Sequence, residues 1–135
     1  MLRRPRVATP GSYRWVRLAE FDAEVKTLIG HDRVLIARLL ASLRRATCGT
    51  SGSDEYVFPL GRTPYHPLVE LRLEDEGDDK YRLYHAEPAE DPILLLGLVF
   101  SVKQHDPHFE WKVIQNGHID TSLDRYIAWS ARNVH

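Results

Sequence analysis

Cationic side chains lie on or directly after three consecutive apolar segments in the second half of the chain. Arg72 and Arg82 lie within the first two segments, and Lys103 follows the third. Arginine presents a planar fork of N–H donors that suits phosphate and carboxylate groups, whereas lysine provides a point charge. These residue types predict a site for an anion. Their spacing equally allows Arg72 and Arg82 to face solvent or to pair with Glu70 and Glu74.

Four histidines, His66, His85, His105 and His108, lie in or beside the same part of the chain. Because histidine titrates near neutral pH, each could supply an acid or a base, although loop histidines are usually only solvated. His105 and His108 are three residues apart and could bind zinc from one face of a helix. No second pair with the spacing of metal ligands accompanies them. We therefore expect no metal site and no cofactor.

The segments that carry these residues have the patterns of β-strands. Residues 68–73 and 80–86 alternate apolar and polar side chains, as half-buried strands do. Residues 93–100 are apolar throughout, which is typical of a strand covered on both faces. Short acidic and proline-containing turns between them favour an antiparallel meander. In that arrangement Arg72 and Arg82 can lie side by side on neighbouring strands if the register allows it.

The remaining segments predict helices and one more strand. Residues 13–18 alternate in part and predict a first strand, whereas residues 20–29 and 33–46 have the apolar spacing of two amphipathic helices, the second capped by Asp32. Residues 47–54 predict a flexible loop, and residues 107–134 a helical segment interrupted at Asn116-Gly117. The expected fold is α+β with the order β-α-α-β-β-β-α. It combines a small antiparallel sheet, an N-terminal helical hairpin and a C-terminal helical segment.

Composition indicates one ordinary globular domain. The chain has 135 residues, of which 43% are hydrophobic and 27% charged, and we expect a single domain over residues 13–135 after a flexible tail at 1–12. No apolar run approaches the roughly 18 residues of a membrane span, and no apolar segment follows the basic N-terminus as in a signal peptide. The one cysteine, Cys48, fits a reducing compartment, so we expect a cytoplasmic protein. Because the net charge is −1, any nucleic-acid site must be a local patch.

An ordered set of short motifs resembles the RelE/ParE superfamily, and in particular the HigB-type toxins of bacterial type II toxin–antitoxin systems. The motifs are Pro59-Leu60-Gly61, Glu70-Leu71-Arg72, Tyr81-Arg82-Leu83-Tyr84, the apolar segment 93–100, the step from Lys103 to Pro107 into a helix, and the closing helix at 119–125. The likeness covers residues 13–129, and the expected fold is accordingly RelE-like.

The resemblance implies an endoribonuclease that cuts messenger RNA, often on the ribosome, without a metal ion. In this reaction the 2′-hydroxyl attacks the adjacent phosphate, while cations hold that phosphate and side chains supply an acid and a base. By the resemblance, the catalytic residues are Arg82, Arg72 and Lys103, and we add His105 as the catalytic group that titrates, because histidine ionises near neutral pH. Tyr84 and Lys112 would bind the substrate. The implied partners are a cognate antitoxin protein and messenger RNA, with no membrane.

The chain also departs from the family pattern beyond the third segment. The family usually has two adjacent lysines where this chain has Lys103-Gln104-His105, and Thr-Pro where it has Asp106-Pro107. An alternative hypothesis is therefore a catalytically silent RelE-fold binding protein, such as a phage or mobile-element accessory factor. Convergence of Arg72, Arg82 and Lys103 on one concave surface would favour the enzyme. We expect Arg82, as an exposed strand residue, to contribute little to stability.

Overall fold

The fold is described from a computed structural model over residues 13–52, 55–57, 68–73, 80–88, 91, 93–103 and 111–133, with backbone alone at 103 and 111–114. These residues form an α+β structure with three helices and five strands. The helices are α1 (Ala19–Ile29), α2 (Arg33–Cys48) and α3 (Trp111–Asn133), and the strands are β1 (Arg14–Arg17), β2 (Tyr56–Val57), β3 (Leu68–Leu73), β4 (Lys80–Ala86) and β5 (Leu94–Lys103). The predicted tail at 1–12 lies outside the described residues.

The five strands form one open sheet in the order β1-β5-β4-β3-β2. Strands β2 to β5 pair in antiparallel fashion, which confirms the meander with β4 between its neighbours. The prediction of a wholly antiparallel sheet is wrong, because β1 pairs with β5 in parallel. Both edges of the buried β5 need hydrogen-bond partners: β4 pairs with one edge, and β1 pairs with residues 94–97 on the other. The two-residue strand β2 is an addition to the predicted order.

The two N-terminal helices follow the sequence pattern, and only the end of α2 differs. Asp32 caps α2 as predicted, since its Oδ1 accepts hydrogen bonds of 3.1 Å from both Val34 N and Leu35 N. The helix continues to Cys48, so the predicted loop at 47–54 begins too early. Ala46 is fully buried, and its packing favours a helix that continues past this residue. The helix then ends at Gly49, which adopts the left-handed conformation with φ of 73°.

The helix α3 is continuous through Asn116-Gly117, so the predicted interruption is wrong. Gln115 precedes this dipeptide and bonds to the sheet, and Ile119 and Ser122 follow it and are buried. A glycine inside a helix costs only about 1 kcal/mol, which contacts on both sides readily outweigh. Although α3 has 23 residues, neither it nor any other helix in the described part of the chain has the length and apolar character needed to cross a membrane.

The core between the sheet and the helices is aromatic and contains a buried polar network. Phe100 of β5 lies between Phe21 of α1, at a ring-centroid distance of 6.2 Å, and Tyr81 of β4, which stacks on it at 5.8 Å. His85 is fully buried, and its Nε2 lies 3.0 Å from an oxygen of Glu87. The Tyr56 hydroxyl donates to the same carboxylate. This candidate acid–base histidine therefore joins β4 to β2 inside the core.

Two glycine substitutions test the ends and the continuity of the helices. Gly49→Ala should lower the free energy of unfolding by roughly 1–2 kcal/mol, because an L side chain is strained in the left-handed conformation. Gly117→Ala should raise it by about 0.5–1 kcal/mol, because an added Cβ meets nothing within 4 Å and alanine favours a helix. Urea denaturation measures both changes. A destabilising Gly117→Ala would contradict a continuous α3.

Candidate functional site

Two of the predicted catalytic residues are direct neighbours on the sheet. Arg72 of β3 and Arg82 of β4 are paired in register, so their side chains leave the same face. Like charges placed directly opposite each other destabilise an antiparallel pair. A compensating negative charge is therefore required at this position.

Glu70 supplies that charge from inside the protein. It lies two residues before Arg72 on the same face, and its side chain is 0% exposed. Its Oε1 accepts a hydrogen bond of 2.8 Å from Arg72 Nε and lies 3.4 Å from Arg82 Nε. Its Oε2 accepts a bond of 2.6 Å from Gln115 Nε2 of α3. We call Glu70, Arg72, Arg82 and Gln115 the arginine cluster.

The aromatic rings of Tyr84 and His118 lie beside the arginine cluster. Tyr84 is paired directly with Glu70 across the strands and is only 1% exposed. Burial raises the pKa of its phenol above the usual range, and the charge of Glu70 and a hydrogen bond to it add to this effect. The ring of His118 lies 6.4 Å from that of Tyr84. Burial also lowers the pKa of His118, partly offset by the charge of Glu24, so both rings are neutral at pH 7.

The arginine cluster is partly open to solvent and carries one net positive charge, since two guanidinium groups face one carboxylate. The side chain of Arg72 is 43% exposed and that of Arg82 is 15% exposed. An anion from solution can therefore meet Arg72 first and Arg82 behind it. Paired guanidinium groups of this kind can bind the oxygens of a phosphate.

The structure brings together three of the six predicted site residues: Arg72, Arg82 and Tyr84. The backbone of Lys103 pairs with Lys80, two residues along from the pair of Arg82 and Ser101. Lys103 is therefore placed near the end of the same strand pair. The backbone of Lys112 lies in the first turn of α3. His105 and the side chains of both lysines lie outside the description, so their roles stay predictions.

Sequence reasoning did not assign functional roles to Glu70, Gln115 or His118. Glu70 was interpreted only as a possible salt-bridge partner, although it shares the alternating face of Arg72. Gln115 and His118 lie on the helical stripe that continues through Ser122, three to four residues apart. The spacing could have identified them, but the predicted break at Asn116-Gly117 divided this stripe into two segments.

A second ion pair fixes α3 against the edge of β5. The register between β4 and β5 shifts so that Leu98 is an extra residue, and its carbonyl accepts a bond of 2.8 Å from Arg125 Nη1. Both Nη atoms of Arg125 bond to Glu24 of α1, at 2.8 and 3.2 Å. Glu24 also accepts a bond of 3.2 Å from Phe100 N. This arrangement joins α1, β5 and α3, and it holds α3 over the sheet.

Within the residues that the structure describes, no three histidine, cysteine, aspartate or glutamate side chains are close enough to hold a metal ion. His105 and His108, whose spacing alone would allow zinc, lie outside that part. Comparison of the chain with models of protein families, with curated proteins and with solved structures finds no match. The family suggested by the sequence motifs therefore stays a prediction.

The expectation that Arg82 is an exposed residue of little structural weight is wrong, because its guanidinium faces the buried Glu70. We predict that Arg82→Met lowers the free energy of unfolding by about 1.5–3 kcal/mol, as for lost hydrogen bonds to a charged group. In the matched control Arg17→Met, an exposed pair with Asp22 is lost, and the cost should stay below about 1 kcal/mol. Chemical denaturation provides both values.

The double variant Glu70→Gln with Arg82→Met should lose less stability than the sum of the two single changes, because it leaves less uncompensated charge. Additive losses would show that Glu70 and Arg82 do not interact.

We predict that His118 makes the protein less stable in acid. Its folded pKa lies below the ordinary value of 6.5, so the unfolded chain binds more protons below that pH. The stability of the wild type should be unaffected by His118 above about pH 6.5 and should fall as the pH drops through the folded pKa. His118→Gln should remove this part of the decline. Denaturation between pH 5 and 8 measures it, and parallel curves for the two proteins would contradict the prediction.

Proposed function

We propose that the chain is a RelE/HigB-like endoribonuclease that cuts messenger RNA, as the toxin of a type II toxin–antitoxin system. The observation that supports this most is the register pair of Arg72 and Arg82 on one partly open face. The family resemblance assigns the binding of the scissile phosphate to these two residues. The helical hairpin, the antiparallel meander and the C-terminal helix also agree with a RelE-like arrangement.

In the proposed reaction the 2′-oxygen of one nucleotide attacks the adjacent phosphorus. The new O2′–P bond forms as the P–O5′ bond breaks, which gives a 2′,3′-cyclic phosphate and a free 5′-hydroxyl. A base takes the proton of the 2′-hydroxyl, and an acid gives one to the leaving oxygen. Arg82 and Arg72 stabilise the charge that develops on the phosphoryl oxygens. Lys103 adds charge, and His105 is the titrating group.

Glu70 can hold the arginines without preventing this role. It takes the Nε hydrogen of Arg72, whereas four of the five N–H donors of a guanidinium lie on its two Nη atoms. For Arg72, the carboxylate therefore orients the guanidinium group and leaves the Nη side as the direction from which a phosphate would bind. In Arg82, Nη1 also donates a hydrogen bond of 3.0 Å to the Tyr81 carbonyl. Positioned donors of this kind need little rearrangement when charge develops.

The proposed partners follow from the same reading. Messenger RNA, on the ribosome or free, is the substrate, and a cognate antitoxin protein inhibits the enzyme by covering this face. Both would be met in the cytoplasm, which is the proposed location.

A second candidate function is a catalytically silent RelE-fold binding protein. The observation that favours it is the complete burial of Glu70, since an Arg–Glu–Arg group bonded to Gln115 can also serve structure alone. In that case the arginines hold β3, β4 and α3 together and meet no substrate.

Induced expression in bacteria separates the two functions. Wild type should arrest growth and cut messenger RNA, and co-expression of the protein encoded by the neighbouring gene should relieve the arrest. Arg82→Ala should reduce the cleavage rate of the purified protein on about the scale of one lost preorganised donor, roughly 10²-fold or more. Arg82→Lys keeps the charge beside Glu70 but loses the planar fork, so it should also cut slowly while remaining folded. Rates are measured with ribosomes present and normalised to the folded fraction from circular dichroism.

Arg17→Ala is the matched control, because it removes an exposed arginine from β1 and should leave cleavage unchanged. A harmless wild type that cuts nothing would reject the enzyme and leave the binding protein. Full activity in Arg82→Ala would support the endoribonuclease proposal but would show that the catalytic site lies elsewhere.

A further inference from the structure

A cavity of about 390 Å³ lies beside the arginine cluster, at the edge of β5. It is bounded by α1, by residues 99–102 of β5 and by His118 of α3. Two residues of the cavity pair with residues of β4 at or beside the arginine cluster. Ser101 pairs with Arg82, and Val99 pairs with Tyr84. The cavity therefore begins one strand away from the backbone of Arg82, whose guanidinium group is directed toward Glu70 on β3.

Side chains occupy part of the strand edge beside this cavity. β1 pairs with residues 94–97, so the edge from Leu98 onward lies past its end. Addition of a strand needs the backbone groups of that edge. The Phe100 N–H already donates to Glu24, and the Leu98 carbonyl already accepts from Arg125. An extended peptide would have to displace Glu24 from the Phe100 N–H and fit beside the Arg125 side chain, so the cavity fits a compact ligand better.

The lining of the cavity combines apolar residues with a few polar groups. Leu28, Val99 and Val102 provide apolar surface, and Thr27, Ser101 and His118 provide hydrogen-bonding side chains. The lining also includes the carboxylate of Glu24, which is paired with Arg125. The volume lies at the lower end of the roughly 300–1,000 Å³ of small-molecule sites, which suits a single nucleoside rather than a longer segment. A flat base with polar edges fits this combination, and an imidazole such as that of His118 can stack on it.

We infer that this cavity binds the nucleobase of the nucleotide next to the phosphate held by Arg82. The inference rests on the proposed function, because it names a subsite for the same RNA strand. Since hydroxyl groups both donate and accept, Ser101 and Thr27 can meet the edge of any base. Selection should therefore follow size, and purines should bind more tightly than pyrimidines because they bury more surface.

Titrations of the isotope-labelled protein, followed by nuclear magnetic resonance, test the inference with adenosine and inorganic phosphate as separate probes. Adenosine lacks a phosphate, so it should shift the amide signals of residues 99–102 and of His118. Thr27→Phe fills the cavity from an exposed position of α1 and should weaken adenosine binding by roughly tenfold or more, within the range of a lost base stack. Lys26→Phe makes the same change one residue away, outside the lining, and should bind adenosine like the wild type.

The outcomes distinguish this inference from the proposed function. If phosphate shifts the side-chain signals of Arg72 and Arg82 and RNA is cut, but adenosine leaves the cavity signals unchanged, the base site is rejected and the enzyme stands. If adenosine binds in the cavity but phosphate shifts neither arginine and RNA is not cut, the enzyme and its RNA subsite are both rejected, and the cavity is a nucleoside site only. Equal loss of adenosine binding in Thr27→Phe and Lys26→Phe would reject the cavity as the site.

Discussion

The burial of the Glu70 carboxylate is the constraint on which this face of the protein depends. Removing an ionised group from water costs several kcal/mol unless charges and hydrogen bonds compensate for it. Here two arginines on neighbouring strands and one glutamine on α3 provide the compensation. This requirement couples the register of β3 and β4 to the placement of α3. A shift of either would remove at least one of the three partners of the Glu70 carboxylate.

Two contacts ten residues apart determine how α3 crosses the sheet. Gln115 bonds to Glu70 on β3, and Arg125 bonds to the Leu98 carbonyl at the far edge of β5. Ten helical residues span about 15 Å, which is enough to pass from β3 over β4 to that edge at the usual strand spacing of about 4.8 Å. Since β1 ends before Leu98, the side chains of Glu24 and Arg125 replace a strand partner there. The same pair therefore covers part of the sheet edge and orients the helix beside the cavity.

The sequence predicted the parts of this structure that depend on local periodicity. The alternation in residues 68–73 and 80–86 identified β3 and β4, and Asp32 identified the start of α2. It missed features set by distant contacts. The parallel pairing of β1 depends on which edge of β5 needs a partner, and the continuity of α3 depends on packing that outweighs the weak local signal of Asn116-Gly117. Arg72 and Arg82 were found as a pair, but Glu70 could be recognised as their centre only once its burial was known.

The difference in exposure between the two arginines bears on how the site would act under the proposed function. Arg82 is largely enclosed and held by Glu70, so its position is determined before any substrate arrives. Catalysis benefits from donors aimed in advance at the charge of the transition state, because no rearrangement is then needed during reaction. Arg72 is more exposed and, under the proposed function, would make the first contact with an incoming phosphate. In the proposed reaction, the single net positive charge of the cluster would bind the ground-state phosphate only modestly, and the fixed guanidinium group of Arg82 would contribute most as the phosphoryl oxygens gain charge.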